Sequence, residues 1–326
     1  MKRDHDLDIL KGVAVIAMSF VHVNIFFLDQ QALVLDKITK WGAISCFTAF
    51  LLIVGIIEGR LIKKEKTPKW SKILKRILFL YISYLVIALL SLYQSTGRLE
   101  ISELLNILIF KNPPLLSEYL IPFILISFIY KVGYKQLKEI SKSWQLTFII
   151  SLGMFLLGTL MYRSNVLDGF WIKDLLVGNS KYHYFPLLQY FPIYLLGLFL
   201  GRKDRIKYFI LSFILAISTY LLFKTLKLDI WIRFPPNLYF LVESLLLPLL
   251  ILVVLKGFDI NIKFLPLEIY AKDSLLSLVI LTVITLLLVI FFSPLFPVIG
   301  VWVLNLTVIA LTGLILTIYL KMKKMV

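Results

Sequence analysis

The feature that most constrains this 326-residue chain is the recurrence, from end to end, of apolar runs about 20 residues long. Each run is long enough to cross a hydrocarbon core of roughly 30 Å, and no stretch between them is sized for a soluble domain. Hydrophobic residues make up 60% of the chain and charged residues 17%, a balance that a water-soluble domain could not carry on its surface. A cytosolic enzyme, a secreted module and a nucleic-acid binder are therefore excluded as first readings. The expected fold is all-α and polytopic, a single transmembrane domain over residues 1–326.

Apolar runs set against charged breaks predict ten membrane-spanning helices, over 9–28, 41–57, 73–93, 115–131, 145–162, 184–201, 206–224, 235–255, 274–292 and 296–320. The stretch 101–110 is too short to span and reads as an interfacial helix. A formal charge of +16 would suggest nucleic acid in a soluble protein, but here the charges sit in short loops, where sidedness carries the information. The N-terminus and the segments 58–76, 131–142, 202–207, 256–272 and 321–324 hold 25 of the 35 Lys and Arg residues, and the alternate loops hold 10. By the positive-inside rule both termini are cytoplasmic, and no cleavable signal peptide is expected. A compact chain of this kind suits a prokaryotic plasma membrane.

The outer loops 94–114 and 163–183 are long enough for a shallow vestibule. Tyr93, Phe170, Trp171, Tyr182, Tyr184 and Trp231 cluster near that interface, as headgroup-level anchors first and sugar-stacking rings second. Cys46, the single cysteine, rules out an intramolecular disulfide and reads as a small buried hydrophobe. No His, Cys, Asp and Glu cluster has metal-ligand spacing, so no metal is expected.

Of the three histidines, His22 lies well inside the first span, a costly place for a polar ring that is neither used nor paired. Lys11 and His22 are eleven residues apart, about 1100° of helix, so they share a face at a separation of roughly 16 Å along the axis. Asp8 and Ser19 each precede one of them by three residues and join that face. This polar stripe offers a neutral imidazole as general base for a hydroxyl or amine, and a cation, oriented by Asp8, for an anionic group near the inner surface. A structural histidine hydrogen-bonded across helices is the alternative. His5 reads as a solvated tail residue and His183 as an interfacial one.

Glu243, an intramembrane carboxylate in the eighth span, is a second candidate: it could orient His22 or accept an acceptor hydroxyl, or simply bond a neighbouring helix. Gln189 could donate to an oxyanion or to a sugar, although helix-packing glue is the simpler account, and Gly197 and Gly201 have the spacing of close helix approach. The 58–76 loop, with eight basic residues against Glu58 and Glu65, is a topology determinant attracted to anionic lipid and a surface for phosphate groups.

The run Asp8-Ile-Leu-Lys11-Gly-Val-Ala-Val-Ile-Ala-Met-Ser-Phe-Val-His22 resembles the opening helix of the transmembrane acyltransferase superfamily, which includes the acyltransferase-3 and heparan-alpha-glucosaminide N-acetyltransferase-like families. The signature is a basic residue, ten residues, then His, with Asp before and Gly after the basic residue. Lys11 stands where Arg is commoner. Arg76-Ile-Leu-Phe-Leu-Tyr81 is similar to the basic start of the third helix, where an Arg-x-x-Arg pair is expected to hold acyl-CoA. Its first member falls on Ile73, so Lys72 and Lys75 would have to substitute. The segment 184–202, ending in Gly-Arg, and the Pro-Pro start at 234–241 resemble further parts of these families, whereas the 268–281 region lacks the His that relatives often carry.

The resemblance implies an enzyme that moves an acyl group, acetyl in the first place, from cytoplasmic acyl-CoA to a hydroxyl or amine of a cell-envelope glycan, as in polysaccharide O-acetylation. It implies His22 and Asp8 on the catalytic side, which Glu243 joins as an intramembrane carboxylate and not through the resemblance, and Lys11, Arg76, Lys72 and Lys75 on the acyl-CoA phosphates. Membrane lipids and a glycan acceptor are the expected partners, and self-association as a homo-oligomer stays open. The competing class is a transporter or exporter of a lipid or saccharide, with the stripe lining its path.

Overall fold

A computed structural model describes residues 4–28, 32–164, 170–179, 184–228, 232–258, 265–292 and 296–325. His183, Tyr182 and Trp231 lie outside the described residues. Among the described residues fourteen helices follow one another: α1 His5–Phe27, α2 Leu33–Lys63, α3 Trp70–Thr96, α4 Ile101–Leu108, α5 Leu120–Val132, α6 Tyr134–Ile140, α7 Trp144–Arg163, α8 Trp171–Val177, α9 Leu187–Lys203, α10 Ile206–Thr225, α11 Leu238–Gly257, α12 Leu265–Lys272, α13 Ser274–Phe291 and α14 Val298–Met325. The described residues contain no strand beyond isolated bridges.

Eight of these helices are long and apolar enough to cross a membrane, and the number rises to nine where α5 and α6, bent by 90° at their junction, are counted as one span. The expected count of ten differs from this by α9, whose 17 residues amount to about 25 Å of helix, at the short end of what spans. The interfacial reading of 101–110 corresponds to the eight-residue α4. On α7, Phe148, Ile149, Leu152, Leu156 and Leu160 are exposed, a contiguous apolar face that water would not tolerate and lipid solvates.

The expected second span, 41–57, is too short at both ends. Helix α2 runs to Lys63, so Glu58 and Arg60 belong to the helix and the connecting loop shrinks to 64–69. A charge read as the end of a span is tolerated within one when partners accompany it, and Glu58 has them, as shown below.

By internal contacts the chain forms two compact units, one of residues 1–50 with 250–326 and one of residues 51–249, the boundaries falling inside the continuous helices α2 and α11. In the first, α1 packs against α12, α13 and α14. Its N-terminus is capped by Asp4, whose side chain accepts from Leu7 N–H at 3.3 Å, and Asp6 and Asp8 in the first turn complement the helix dipole. Gly12 is the contact point with α12: a Cβ there would lie 2.8 Å from the carbonyl oxygen of Leu267. Past the far end of α1, Phe296 N–H donates to the Phe27 carbonyl at 2.9 Å.

In the second unit α3 packs on α5 and α7 on α9. The C-terminal half of α2 crosses α9 backbone to backbone. A Cβ on Gly197 would come within 3.0 Å of Gly55 Cα, and Gly201 abuts Ile56. The spacing of Gly197 and Gly201 thus serves packing, as such small-residue pairs do.

Candidate active site

Within the unit formed by 1–50 and 250–326, α1 is continuous from His5 to Phe27 and carries the whole predicted stripe. Asp8, Ser19 and His22 are buried, His22 with 2% of its surface exposed. At the lower end Lys11 Nζ lies 3.2 Å from Asp8 Oδ1, and Lys256 Nζ lies 3.5 Å from Asp6 Oδ2. Two cations and two carboxylates thus sit within the first two turns of α1 or against them, and Lys11 keeps part of its surface open.

At the upper end the ring of His22 is held by a residue sequence reasoning missed. Thr282 Oγ1, on α13, lies 3.3 Å from His22 Nδ1 and donates its own proton to the Leu278 carbonyl at 2.8 Å. A hydroxyl has one proton, so toward the imidazole Thr282 accepts, and Nδ1 carries the hydrogen. In that tautomer the lone pair of a neutral ring is on Nε2. One turn below, Ser19 Oγ is fully buried and makes no hydrogen bond. Leaving such a group dry costs about 1–3 kcal/mol, a cost that a bound ligand's donor or acceptor would remove.

The rotation of α1 is fixed on another side by an amide ladder that was equally invisible in the sequence. Asn24 Nδ2 donates to Thr39 Oγ1 on α2 at 2.7 Å, and Asn305 Nδ2 on α14 donates to Asn24 Oδ1 at 2.9 Å. Two residues from His22 along the helix, Asn24 points about 200° away from it, so the ladder and the histidine face opposite directions. Cys46 is buried and its thiol donates to the Ala14 carbonyl at 3.4 Å.

The remaining candidates belong to the unit 51–249. Arg76, on α3, donates from Nη1 to Glu58 Oε1 at 2.8 Å, and Tyr194 Oη on α9 donates to Glu58 Oε2 at 2.5 Å. Glu58 is 3% exposed while the Arg76 side chain is 30% exposed, so the guanidinium is anchored at one edge with the rest open to a ligand. Lys72 and Lys75 are exposed, and Ile73, in the position of the absent first arginine, is buried. Further along, Arg60 pairs with Asp204 at 3.0 Å, and Arg202 donates to the Lys138 carbonyl and to Ser141 Oγ.

Glu243 lies on α11 next to the buried Ser244, in the unit 51–249, whereas His22 belongs to the other unit. Gln189 spends its amide donor on the Val177 carbonyl at 3.1 Å, and a Cβ on Gly158 would fall 2.8 Å from its side chain, which gives it a packing role. Among the described residues no group of three or more His, Cys, Asp or Glu could hold a metal ion.

A buried imidazole bonded to Thr282, aligned on one helix face with a lysine at its foot, in an all-helical bundle with apolar outer faces, can offer a base and a cation to a group transfer. The comparison with known families gives the class. The family model described as "Heparan-alpha-glucosaminide N-acetyltransferase, catalytic" matches residues 3–208, that is 206 of the 326, and the chain belongs to this family. The match takes in Asp8, Lys11, His22 and Arg76 and stops before Glu243 and Thr282. No curated protein and no solved structure matches the chain.

Proposed function

We propose that this membrane acyltransferase takes an acyl group, acetyl in the first place, from cytoplasmic acyl-CoA and transfers it to a hydroxyl or amine of a cell-envelope glycan. Lys11 binds a donor phosphate as a point charge oriented by Asp8, and the open edge of Arg76, with Lys72 and Lys75, holds others. His22 Nε2 takes the proton of the acceptor O–H or N–H as that atom attacks the thioester carbonyl. The carbonyl carbon gains an oxygen or nitrogen bond and loses its sulfur bond, and the proton passes from the imidazole to the departing CoA thiolate. Glu243 acts on the acceptor side. Both termini lie in the cytoplasm of a plasma membrane, which puts the lysine end of the stripe on the side where acyl-CoA is found.

The observation that carries this reading is the Thr282 hydroxyl on His22 Nδ1, because it presents a base rather than a donor at the other nitrogen. The test is transfer by purified protein in proteoliposomes supplied with labelled acetyl-CoA and an envelope glycan fraction. Label arriving on the glycan with release of free CoA supports the proposal. Transport of the glycan with the thioester left intact would place the protein with the exporters instead.

A further inference from the structure

In the unit 51–249, helix α10 is pinned to its neighbours near its two ends and stands off between them. At its start Tyr208 meets Phe199 of α9 edge to face, with ring centroids 5.2 Å apart. Toward its end Tyr220 stacks on Tyr239 of α11 at 5.6 Å, and Phe223 meets the same ring at 6.1 Å. Of its 20 residues, Phe209 and Ala216 are buried. Between the two pins a furrow of about 580 Å³ opens among α7, α9, α10 and α11, a size within the range of ligand sites.

Hydrocarbon fits this furrow. Ile193, Phe199 and Leu241 are its buried floor, and Phe148, Leu211 and Leu215 its exposed rims. Among the described residues no charged side chain lines it, and the Thr147 hydroxyl donates back to the Ile140 and Ser143 carbonyls at 3.0 and 2.9 Å, which leaves it little to ask of a ligand. Water in such a space would have too few partners, and an empty furrow would forfeit the dispersion contacts of every wall. An acyl chain supplies those contacts.

Charge sets the other end of the occupant. Lys207 Nζ lies 5.2 Å from the centroid of Tyr208 and Lys203 Nζ 6.0 Å from that of Phe199, so both ammoniums stand over rings that line the furrow. A ring face holds a cation without offering it an oxygen. Among the described residues neither lysine has a carboxylate partner: Asp204, between them in sequence, pairs with Arg60 at 3.0 Å. The three N–H donors of each ammonium are therefore left for an outside acceptor. We propose that this furrow binds one anionic phospholipid, with an acyl chain between α10 and α7 and the headgroup phosphate on Lys203 and Lys207. A zwitterionic lipid brings the same chain, but its own cation offsets the charge that the lysines attract. The acyl-transfer reading gives none of these residues a role, so the site stands apart from it.

The test is native mass spectrometry of the full chain, stripped of lipid in a neutral detergent and titrated with phosphatidylglycerol or with phosphatidylcholine of the same acyl chains. The expected result is a first phosphatidylglycerol bound about 10- to 30-fold more tightly than the first phosphatidylcholine, the gain of two ammoniums at an anionic lipid. Lys203→Gln/Lys207→Gln is expected to remove that preference, whereas Lys64→Gln/Lys66→Gln, in the exposed 64–69 loop, leaves it intact. Ser212→Phe sets a ring into the furrow and is expected to weaken the first event for both lipids. Equal first affinities for the two lipids, a preference that survives loss of both lysines or falls as far with the loop pair, a first event unmoved by Ser212→Phe, or a dimer that retains no lipid would each overturn the proposal. Because the wild-type comparison needs no variant, a folding defect in Ser212→Phe does not blunt the test. His22→Ala is expected to bind phosphatidylglycerol as the wild type does, which separates this outcome from that of acyl transfer.

Discussion

Thr282→Val replaces a hydroxyl by a methyl of nearly the same size, and so removes the acceptor of the His22 Nδ1–H with little change in packing. The 3.3 Å contact to His22 and the 2.8 Å bond to Leu278 both disappear, the second without consequence because its carbonyl keeps its helical partner. A buried donor left without that acceptor costs about 1–3 kcal/mol, and nothing then favours the tautomer with its lone pair on Nε2. At 1.36 kcal/mol per factor of ten, the turnover number is expected to fall roughly 5- to 160-fold. Donor phosphates are held elsewhere, so acetyl-CoA affinity stays within about twofold. The assay is steady-state transfer in proteoliposomes, with acetyl-CoA binding measured separately and Thr282→Ser as the control that restores the hydroxyl. A Thr282→Val protein that turns over at the wild-type rate would refute the reasoning, because the ring would then not owe its protonation pattern to α13.

Other consequences are open to measurement. Arg76→Ala leaves Glu58 buried with Tyr194 alone, and breaking a buried pair from one side costs about 3–5 kcal/mol, less here because Arg76 is partly exposed. Thermal melts should therefore show Arg76→Ala less stable than the double variant Glu58→Gln/Arg76→Ala, and an unchanged melt would remove the pair from the account. Gly12→Ala sets a methyl 2.8 Å from the Leu267 carbonyl and 2.9 Å from its Cδ2, an overpacking expected to lower stability by about 1–3 kcal/mol in denaturant or heat. Glu118 titrates higher in the folded protein than its ordinary 4.5, so its contribution to stability is full below about pH 4.5 and is lost as the pH rises to about 7. Compared with Glu118→Gln, the wild type should lose roughly 3 kcal/mol over that window and none above it, which a pH series of melting curves reads directly.

Much of this architecture could be read from the residues because lipid imposes a one-dimensional rule: a span is a long apolar run, whatever it packs against. The Asp8–Lys11 pair was legible for the same kind of reason, since residues three apart meet on any helix. The partners of the imidazole were not. Thr282 is 260 residues from His22, and Asn305 is 281 from Asn24, and a threonine or asparagine in an apolar run looks no different when it bonds its own helix. Glu58 shows the opposite failure. It was read as a loop residue because it is charged, although Arg76 and Tyr194, the latter 136 residues away, make its burial tolerable and let α2 continue to Lys63.

His22 is the residue on which the enzymatic reading depends most directly, and the decisive measurement is acyl transfer from acetyl-CoA by wild-type protein and by His22→Ala, each reconstituted and each first shown to bind acetyl-CoA. General-base removal typically costs 10²- to 10⁴-fold, so the variant should bind the donor as before and transfer at least a hundred times more slowly. A His22→Ala protein that still acetylates the glycan at the wild-type rate would contradict the account.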